Sequence, residues 1–355
     1  MKVLVKKLKC FMSDIWRSVS VYLSFYKRHK KIKRNLGCSY LKLTKEEKKE
    51  YLSYWRGITP FISLKTVEIT KSFTESYSKY IVPEEVYALK IEPLLNSRAE
   101  VSFLKNKSFY NKWFVGESFP KCYLFSIDGL LYDALYKPIE NPQKFMLENV
   151  KYPAVFKPSI DTYGGQGVVF VSNEKELLSL LNTTKDYVVQ EKICQSSEIN
   201  EYSKGICTIR VCLYRNKLSY GFNVINCSLR MGVNGSLDNE TSGGIVCNIS
   251  ANGIFNEFAI NKYGIKFLRH PDTGFVFKGE KLPYYKKLLE QSVLVANQVP
   301  YTQLISLDMC LDYNNDWRCI EMTMFGQTIR FAQYAGQPFF GEFTQEILST
   351  LTLRE

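Results

Sequence analysis

The run Ala154–Val171, AVFKPSIDTYGGQGVVFV, constrains the fold of this chain more than any other stretch. It reads as strand, glycine-rich loop, strand. Val155 and Phe156 lead into Lys157 and Pro158, a loop with Gly164, Gly165 and Gly167 follows, and Val168–Val171 resume a β-branched and aromatic run. Glycines let backbone N–H groups approach phosphate oxygens closely, and Lys157 places a cation at the loop's root. The loop lacks GxxxxGK[ST] and leads into a strand rather than a helix, so it is no P-loop. Two readings stand open on these residues alone: a cradle for phosphates, or a hairpin with a long tip.

At 355 residues the chain is long enough for two or three lobes. Its ten cysteines include no CxxC pair and no regular framework, which reads as reduced, buried thiols in a cytosolic protein. Only His29 and His270 are histidines, which argues against a Ser-His-Asp triad and a multi-histidine metal site. Carboxylates, lysines and arginines must carry any chemistry.

Residues 1–34 hold eleven Lys or Arg and one acid, Asp14, so they account for +10 of the net +12. A duplex-binding protein usually spreads basic residues over its folded body, and this polarity argues against nucleic acid as partner. Leu4, Leu8, Phe11, Met12, Ile15, Val19, Tyr22 and Tyr26 recur at helical spacing ahead of the basic run Lys27–Arg34. That pattern fits a helix lying on a membrane surface, and equally one packed on the protein's own body. Asp14 and Arg17 rule out a spanning helix, and no small-residue cleavage site follows that would mark a signal peptide.

The spacing predicts a mainly helical segment over 36–104, with Thr44 as N-cap of a helix running through Tyr51 and Trp55. Beyond it, Lys107 sits at a predicted helix start, a helix is expected around Glu174–Leu181, and Tyr187–Ile193 (YVVQEKI) reads as an apolar strand ending in polar residues. Such a strand can hydrogen-bond a purine edge through its backbone while Ile193 packs on the ring. In Leu304–Phe325 two apolar runs flank Asn314-Asn315, residues that tolerate the left-handed conformation of a tight turn. A turn centred there sets Asp308 directly opposite Glu321, with Cβ atoms roughly 5 Å apart. Two inward carboxylates need a cation between them, and hard oxygen ligands without histidine suit Mg²⁺.

Lysine, lysine with glycine-rich hairpin loop, hinge strand, arginine strand and paired acids follow in that order. The set resembles the ATP-grasp superfamily, and most of all its sugar-transfer-associated family of bacterial surface-polysaccharide gene clusters. The pieces are IVPEEVYALKIEPLLN, Asn106-Lys107, FKPSIDTYGGQGV, VVQEKI, CTIRV, LRMGVNGSLDNETSGGI, RHPDTG and LDMCLD with IEMT. The resemblance implies an α+β ATP-grasp fold, two lobes clasping Mg-ATP. The residue pattern sets a basic helix over 1–35 and a helical lead-in over 36–104, and the resemblance places an N-lobe over 105–200 and a C-lobe over 201–355. Lys107 and Lys157 would contact phosphates, with Gly164, Gly165, Gln166 and Gly167 closing over them. Gln190, Glu191 and Ile193 would hold adenine and ribose, and Asp308, Glu321 and Thr323 would bind Mg²⁺. Arg210 would steady the transferred phosphate, and Arg230, Asn239, Gly243, Gly244 and His270 would lie toward the acceptor, although His270 in HPDTG equally reads as a turn cap.

The activity implied is ligation of an amino acid or sugar acid to an amine or other nucleophile through an acyl phosphate. It would act in the cytoplasm, with glycosyltransferase or inner-membrane contact through residues 1–34. Gln166, Asn106 and Thr323 depart from the pattern of many relatives, which keeps a second function in view: an ATP-binding scaffold assisting a glycosyltransferase.

Overall fold

Short apolar runs bounded by turn residues form strands that must bury their side chains, and in this chain they do so in two sheets. A computed structural model describes residues 2–59, 62–96, 99–160, 165–216, 221–236, 238 and 242–352, with backbone alone over 2–15 and at 352. The architecture is α+β. Two compact units divide it: residues 1–96, 260–266 and 325–355 form one, and residues 97–259 and 267–324 the other.

The first unit is mainly helical. Helix α1 (Lys2–Leu36) is followed by α2 (Lys45–Trp55) and α3 (Lys65–Thr74). Thr44 caps α2 in a reciprocal capping box: its hydroxyl accepts from the Glu47 N–H while the Glu47 carboxylate accepts from the Thr44 N–H. Tyr51 and Trp55, one turn apart, are buried on the inner face of α2.

The second unit holds the smaller sheet and most of the larger. β1 (Cys122–Ile127), β2 (Leu130–Asp133), β3 (Ala154–Pro158), β4 (Val169–Val171) and β5 (Tyr187–Glu191) make the smaller, in the order β2-β1-β5-β3-β4. The helices Pro142–Asn149 and Glu174–Leu180 bring Met146 and Leu177 onto one face of it, where Ala154, Phe156, Tyr187 and Val189 form the core.

The larger sheet runs β10-β9-β8-β7-β6-β11-β12. Its strands are β6 (Thr208–Tyr214), β7 (Asn223–Met231), β8 (Ile245–Ile249), β9 (Phe255–Asn261), β10 (Lys266–Phe267), β11 (Leu304–Leu311) and β12 (Trp317–Thr323). Every residue of β11 is buried, as expected of a strand flanked on both edges and covered on both faces. A carboxylate in such a strand, Asp308, therefore needs partners.

Candidate active site

Cross-strand partners share a face, so the register of the large sheet sorts its side chains. Arg210 pairs with both Ser228 and Asp308, Thr208 with Arg230, Asp308 with Glu321, and Ser306 with Thr323. All eight lie on one polar face. The opposite face carries Ile209, Val211, Leu229, Leu307 and Met322 and is apolar. The expected acids thus stand side by side, on the same surface as the expected arginines.

The hairpin reaches this register by a different route from a two-residue turn. Asp312 pairs with Asp316 around a three-residue loop, Tyr313–Asn315, with Asn315 left-handed at φ 62°. The Asp312 carboxylate accepts the N–H groups of Asn314 and Asp316 at 3.0 Å each, an Asx turn. Near the turn Leu311 faces Trp317 and Met309 faces Cys319, one residue short of a turn centred on Asn314-Asn315. Ile320 is the extra residue of a β-bulge, and it restores Asp308 opposite Glu321. The bulge also leaves the Ile320 carbonyl outside the ladder, where it accepts a hydrogen bond from Lys157 Nζ at 3.1 Å.

Arg210 grips Asp308 as a fork, Nε to Oδ1 and Nη2 to Oδ2, each at 2.8 Å. Arg230 reaches across from β7 and donates to Oδ2 at 2.7 Å. Burial alone would raise the Asp308 pKa; the two guanidiniums reverse that and hold it well below the carboxylate range. Burial would lower the Arg210 pKa, and Asp308 drives it further up instead. Asp238 lies close by, its carboxylate accepting the Thr208 hydroxyl; burial raises its pKa against the pull of Arg230.

Lysines come from the smaller sheet's side. Lys107 opens a short 3-10 turn capped by Asn106, whose side chain accepts the Ser108 N–H at 2.9 Å. Its buried ammonium lies 3.1 Å from Glu321 Oε1. In β3, alternation sends Phe156 into the core and Lys157 to the other face. Burial and the like charge of Lys107 pull the Lys157 amine down to about 8, and Glu321 only partly offsets them.

β5 separates the two hinge residues. Gln190 pairs with Val155, on the face of Lys157, while Glu191 pairs with Ala154, on the core face. Glu191 is tied down by the Lys121 N–H at 2.8 Å and by Arg318 at 3.0 Å. Arg318 also donates to the Phe119 carbonyl at 2.6 Å and to Asp312 at 3.4 Å, so it clips the hinge to the large sheet's hairpin. Ile193, half-buried, follows β5 in irregular structure. Nothing in the local sequence around Arg318 marks this role, because its partners lie 127 and 199 residues away.

Of the glycine loop, Gly164 lies outside the described residues. Gly165 and Gly167 have φ 76° and 74°, and Gln166 between them is exposed. A Cβ on Gly167 would meet Pro158 Cγ at 2.8 Å, so this position requires glycine twice over.

On the acceptor side, Asn239 lies outside the described residues. Gly243 is exposed at φ 107°, and Gly244 is buried just before β8. His270 is fully buried. Its Nε2–H donates to the Gly232 carbonyl at 2.9 Å, and Nδ1 accepts the Asp272 and Thr273 N–H groups at 3.2 and 3.4 Å. Both ring nitrogens are therefore engaged in fixing the Pro271–Gly274 turn, as a turn cap would be.

The candidate ligands Asp308, Glu321 and Thr323 offer hard oxygens, which is the chemistry Mg²⁺ takes. Glu321 is the accessible one, with a side chain 38% exposed and paired with Lys107. Asp308 already has both oxygens engaged by arginine. Among the described residues no three His, Cys, Asp or Glu gather as a preformed metal cluster. Glu321 and Thr323 fit the ion directly, and Asp308 fits it once an arginine yields.

Lys157 from the smaller sheet and Lys107 from the turn beside it thus meet acids and arginines of the larger sheet. Residues 171–347 match the sugar-transfer associated ATP-grasp family. No curated protein matches the sequence. Among solved structures, biotin carboxylase from Campylobacter jejuni in its β-γ-ATP complex is similar at 14% identity and a TM-score of 0.44, over 73% of this chain and 48% of that one. N5-carboxyaminoimidazole synthetase from Staphylococcus aureus, complexed with ADP, is similar at 11% identity and a TM-score of 0.42, over 69% of this chain and 52% of that one. The chain thus spans about half the length of these structures.

Proposed function

We propose that this protein is an ATP- and Mg²⁺-dependent ligase that joins a carboxylate, an amino acid or a sugar acid, to an amine or other nucleophile. One observation carries the reading. Lys107 and Lys157 converge on Glu321 and the Ile320 carbonyl, beside a sheet face on which Arg210, Arg230 and Asp308 are bonded together. That is a concentration of four cations around two acids, suited to a triphosphate and a second anion.

In the proposed reaction a carboxylate oxygen of the acceptor attacks the γ-phosphorus and ADP leaves. The nucleophile then attacks the acyl carbon, inorganic phosphate leaves, and an amine gives up its proton. Lys107 and Lys157 bind the phosphates. Gln190 and Ile193, with the backbone after β5, hold the base, and Glu191 fixes the hinge through Arg318. Arg210 and Arg230 hold the transferred phosphate and the acceptor's charge. Mg²⁺ on Glu321, Thr323 and Asp308 would supply charge neutralisation between the phosphates. No side-chain nucleophile is required, because positioning and electrostatics dominate such transfers.

The family description links the matched stretch to sugar transfer; the reading extends this to surface-polysaccharide or capsule synthesis, with contact to a glycosyltransferase or a membrane surface through residues 1–34. Release of ADP and phosphate, screened over amino acids and nucleotide-linked uronic acids with amine acceptors, tests it. No release with any pair would sink the ligase.

A second reading has an observation of its own. Asp308 carries two arginines on its oxygens, which weakens its hold on a metal. An ATP-binding scaffold assisting a glycosyltransferase would bind nucleotide without turnover.

A further inference from the structure

Helix α1 has two apolar faces, and its own unit uses only one of them. At 100° per residue, Tyr22, Phe25, His29 and Ile32 fall on one side, and there they are buried or half-buried. His29 Nε2 lies 2.7 Å from Glu84, and Arg28 donates to the same carboxylate at 3.0 Å. Ile32 packs so tightly that a Cβ on Gly264 would come within 2.7 Å of its Cγ2. This face is seated.

Trp16, Val19, Leu23 and Tyr26, at spacings of three, four and three, form a second stripe about 120° round the helix from the first. They are 74%, 50%, 53% and 60% exposed. Two large aromatics and two aliphatics on consecutive turns make a contiguous apolar strip rather than a scatter of single surface residues. The same side of the helix continues C-terminally as Lys27, Lys30 and Arg34, all exposed. Lys31 and Lys33 turn elsewhere, their ammonium groups over the Tyr263 and Tyr40 rings at 3.6 and 4.8 Å.

We infer that this outer face of α1 docks in the headgroup layer of an anionic phospholipid bilayer, with Trp16, Val19, Leu23 and Tyr26 at the acyl boundary and Lys27, Lys30 and Arg34 on lipid phosphates. Charge complementarity selects this occupant. Residues 1–34 carry +10 of the chain's +12, which a second copy of the same helix would repel and a negative leaflet attracts. An apolar strip led by a tryptophan and followed along the helix by basic residues combines the apolar burial and the electrostatic attraction that an anionic interface offers. No helix among the described residues is long and apolar enough to cross a membrane, so α1 lies in the interface rather than spanning it. The inference commits the contact proposed above for residues 1–34 to one occupant, and because it uses none of the residues proposed for ligation, its failure and that of the ligase are distinguishable.

The test is co-sedimentation of the full chain with vesicles of phosphatidylcholine alone and of phosphatidylcholine with 30% phosphatidylglycerol, roughly the anionic fraction of a charged leaflet. Binding is expected only with the anionic vesicles and should weaken with salt. Trp16→Glu with Leu23→Glu should abolish it while leaving the thermal midpoint unchanged, because both side chains are exposed. Lys27→Glu with Lys30→Glu should lower it by about tenfold or more. Three results would each overturn the proposal: no binding to anionic vesicles, binding indifferent to both double variants, or a self-associated protein that the Trp16→Glu, Leu23→Glu pair turns monomeric.

Discussion

Arg210 and Asp308 face each other in register on β6 and β11 and are joined by two parallel hydrogen bonds of 2.8 Å. Arg230 closes the cluster from β7. An acid read from sequence as a metal ligand is thus also the counter-ion of both arginines read as substrate groups. The two roles are coupled: whatever draws Asp308 toward a metal loosens the arginines, which then become available to anions.

Removing the carboxylate should therefore harm the fold as well as any activity. Asp308→Ala leaves two guanidiniums buried without their partner and should cost about 3–5 kcal/mol in denaturant unfolding. Arg210→Ala should cost less, since Arg230 still pairs with Asp308. The pH dependence follows in sign. Asp308 has a folded pKa below its unfolded value, so its stabilisation is present above about pH 4 and is lost as pH falls toward the folded value. Wild-type stability should fall in that acid range, and Asp308→Asn should flatten the slope.

Lys157 titrates near 8, within reach of ordinary buffers. A triphosphate prefers the ammonium form, so ATP affinity should be highest below pH 8 and decline as pH rises through that value. Calorimetric titration at pH 7 and pH 9 would show the loss. Lys157→Met should weaken binding roughly 10- to 100-fold, the worth of one charge-assisted hydrogen bond, and remove the pH dependence. An affinity that is flat with pH in the wild type would place Lys157 away from the phosphates.

Glu321 is the accessible acid and has Lys107 at 3.1 Å. Glu321→Gln keeps its size and loses its charge. ADP release should drop by roughly 10²-fold, while metal-free nucleotide binding through Lys107 and Lys157 persists. If Mg²⁺ dependence and turnover stay at wild-type levels, Glu321 is no metal ligand.

Local signals carried much of the fold. Thr44 and Glu47 announce the start of α2 because a capping box is complete within four residues. Val155–Val171 announces a hairpin because strand and turn chemistry are adjacent in the chain. The pairing of Asp308 with Glu321 was legible too, although the turn it was counted from is one residue shorter and the Ile320 bulge makes up the difference. Long-range arrangement was not legible. Asp308 meets Arg210 across 98 residues, and Glu191 meets Arg318 across 127. No spacing rule reports which strands become neighbours at that separation. The apolar periodicity of α1 was legible as a helix but not as two faces, since Tyr22 packs inward while Val19 and Tyr26 stay outside.

His270 separates a structural histidine from a catalytic one. Its ring links the Gly232 carbonyl to the Asp272 and Thr273 N–H groups, and burial lowers its pKa, keeping it neutral at pH 7. His270→Ala should lower stability by about 1–3 kcal/mol through the lost buried hydrogen bonds. The turnover of the fraction that remains folded should be little changed. A selective rise in acceptor KM at unchanged stability would instead place the ring against substrate.

Gly167 tests the glycine loop by a route independent of charge. Its φ of 74° disfavours any side chain, and an added Cβ would strike the Pro158 ring at 2.8 Å. Gly167→Ala must therefore shift the loop or the end of β3, at a cost of about 1–2 kcal/mol for the backbone conformation alone. Lys157 is the residue before Pro158, so the shift falls on the ammonium that bonds the Ile320 carbonyl. ATP affinity should fall along with stability. Gly243→Ala, also at positive φ but with only the Ser236 hydroxyl within 4.0 Å, should cost stability and leave ATP affinity unchanged. Equal effects of the two substitutions on ATP binding would show that the Gly165–Gly167 turn does not govern the placement of Lys157.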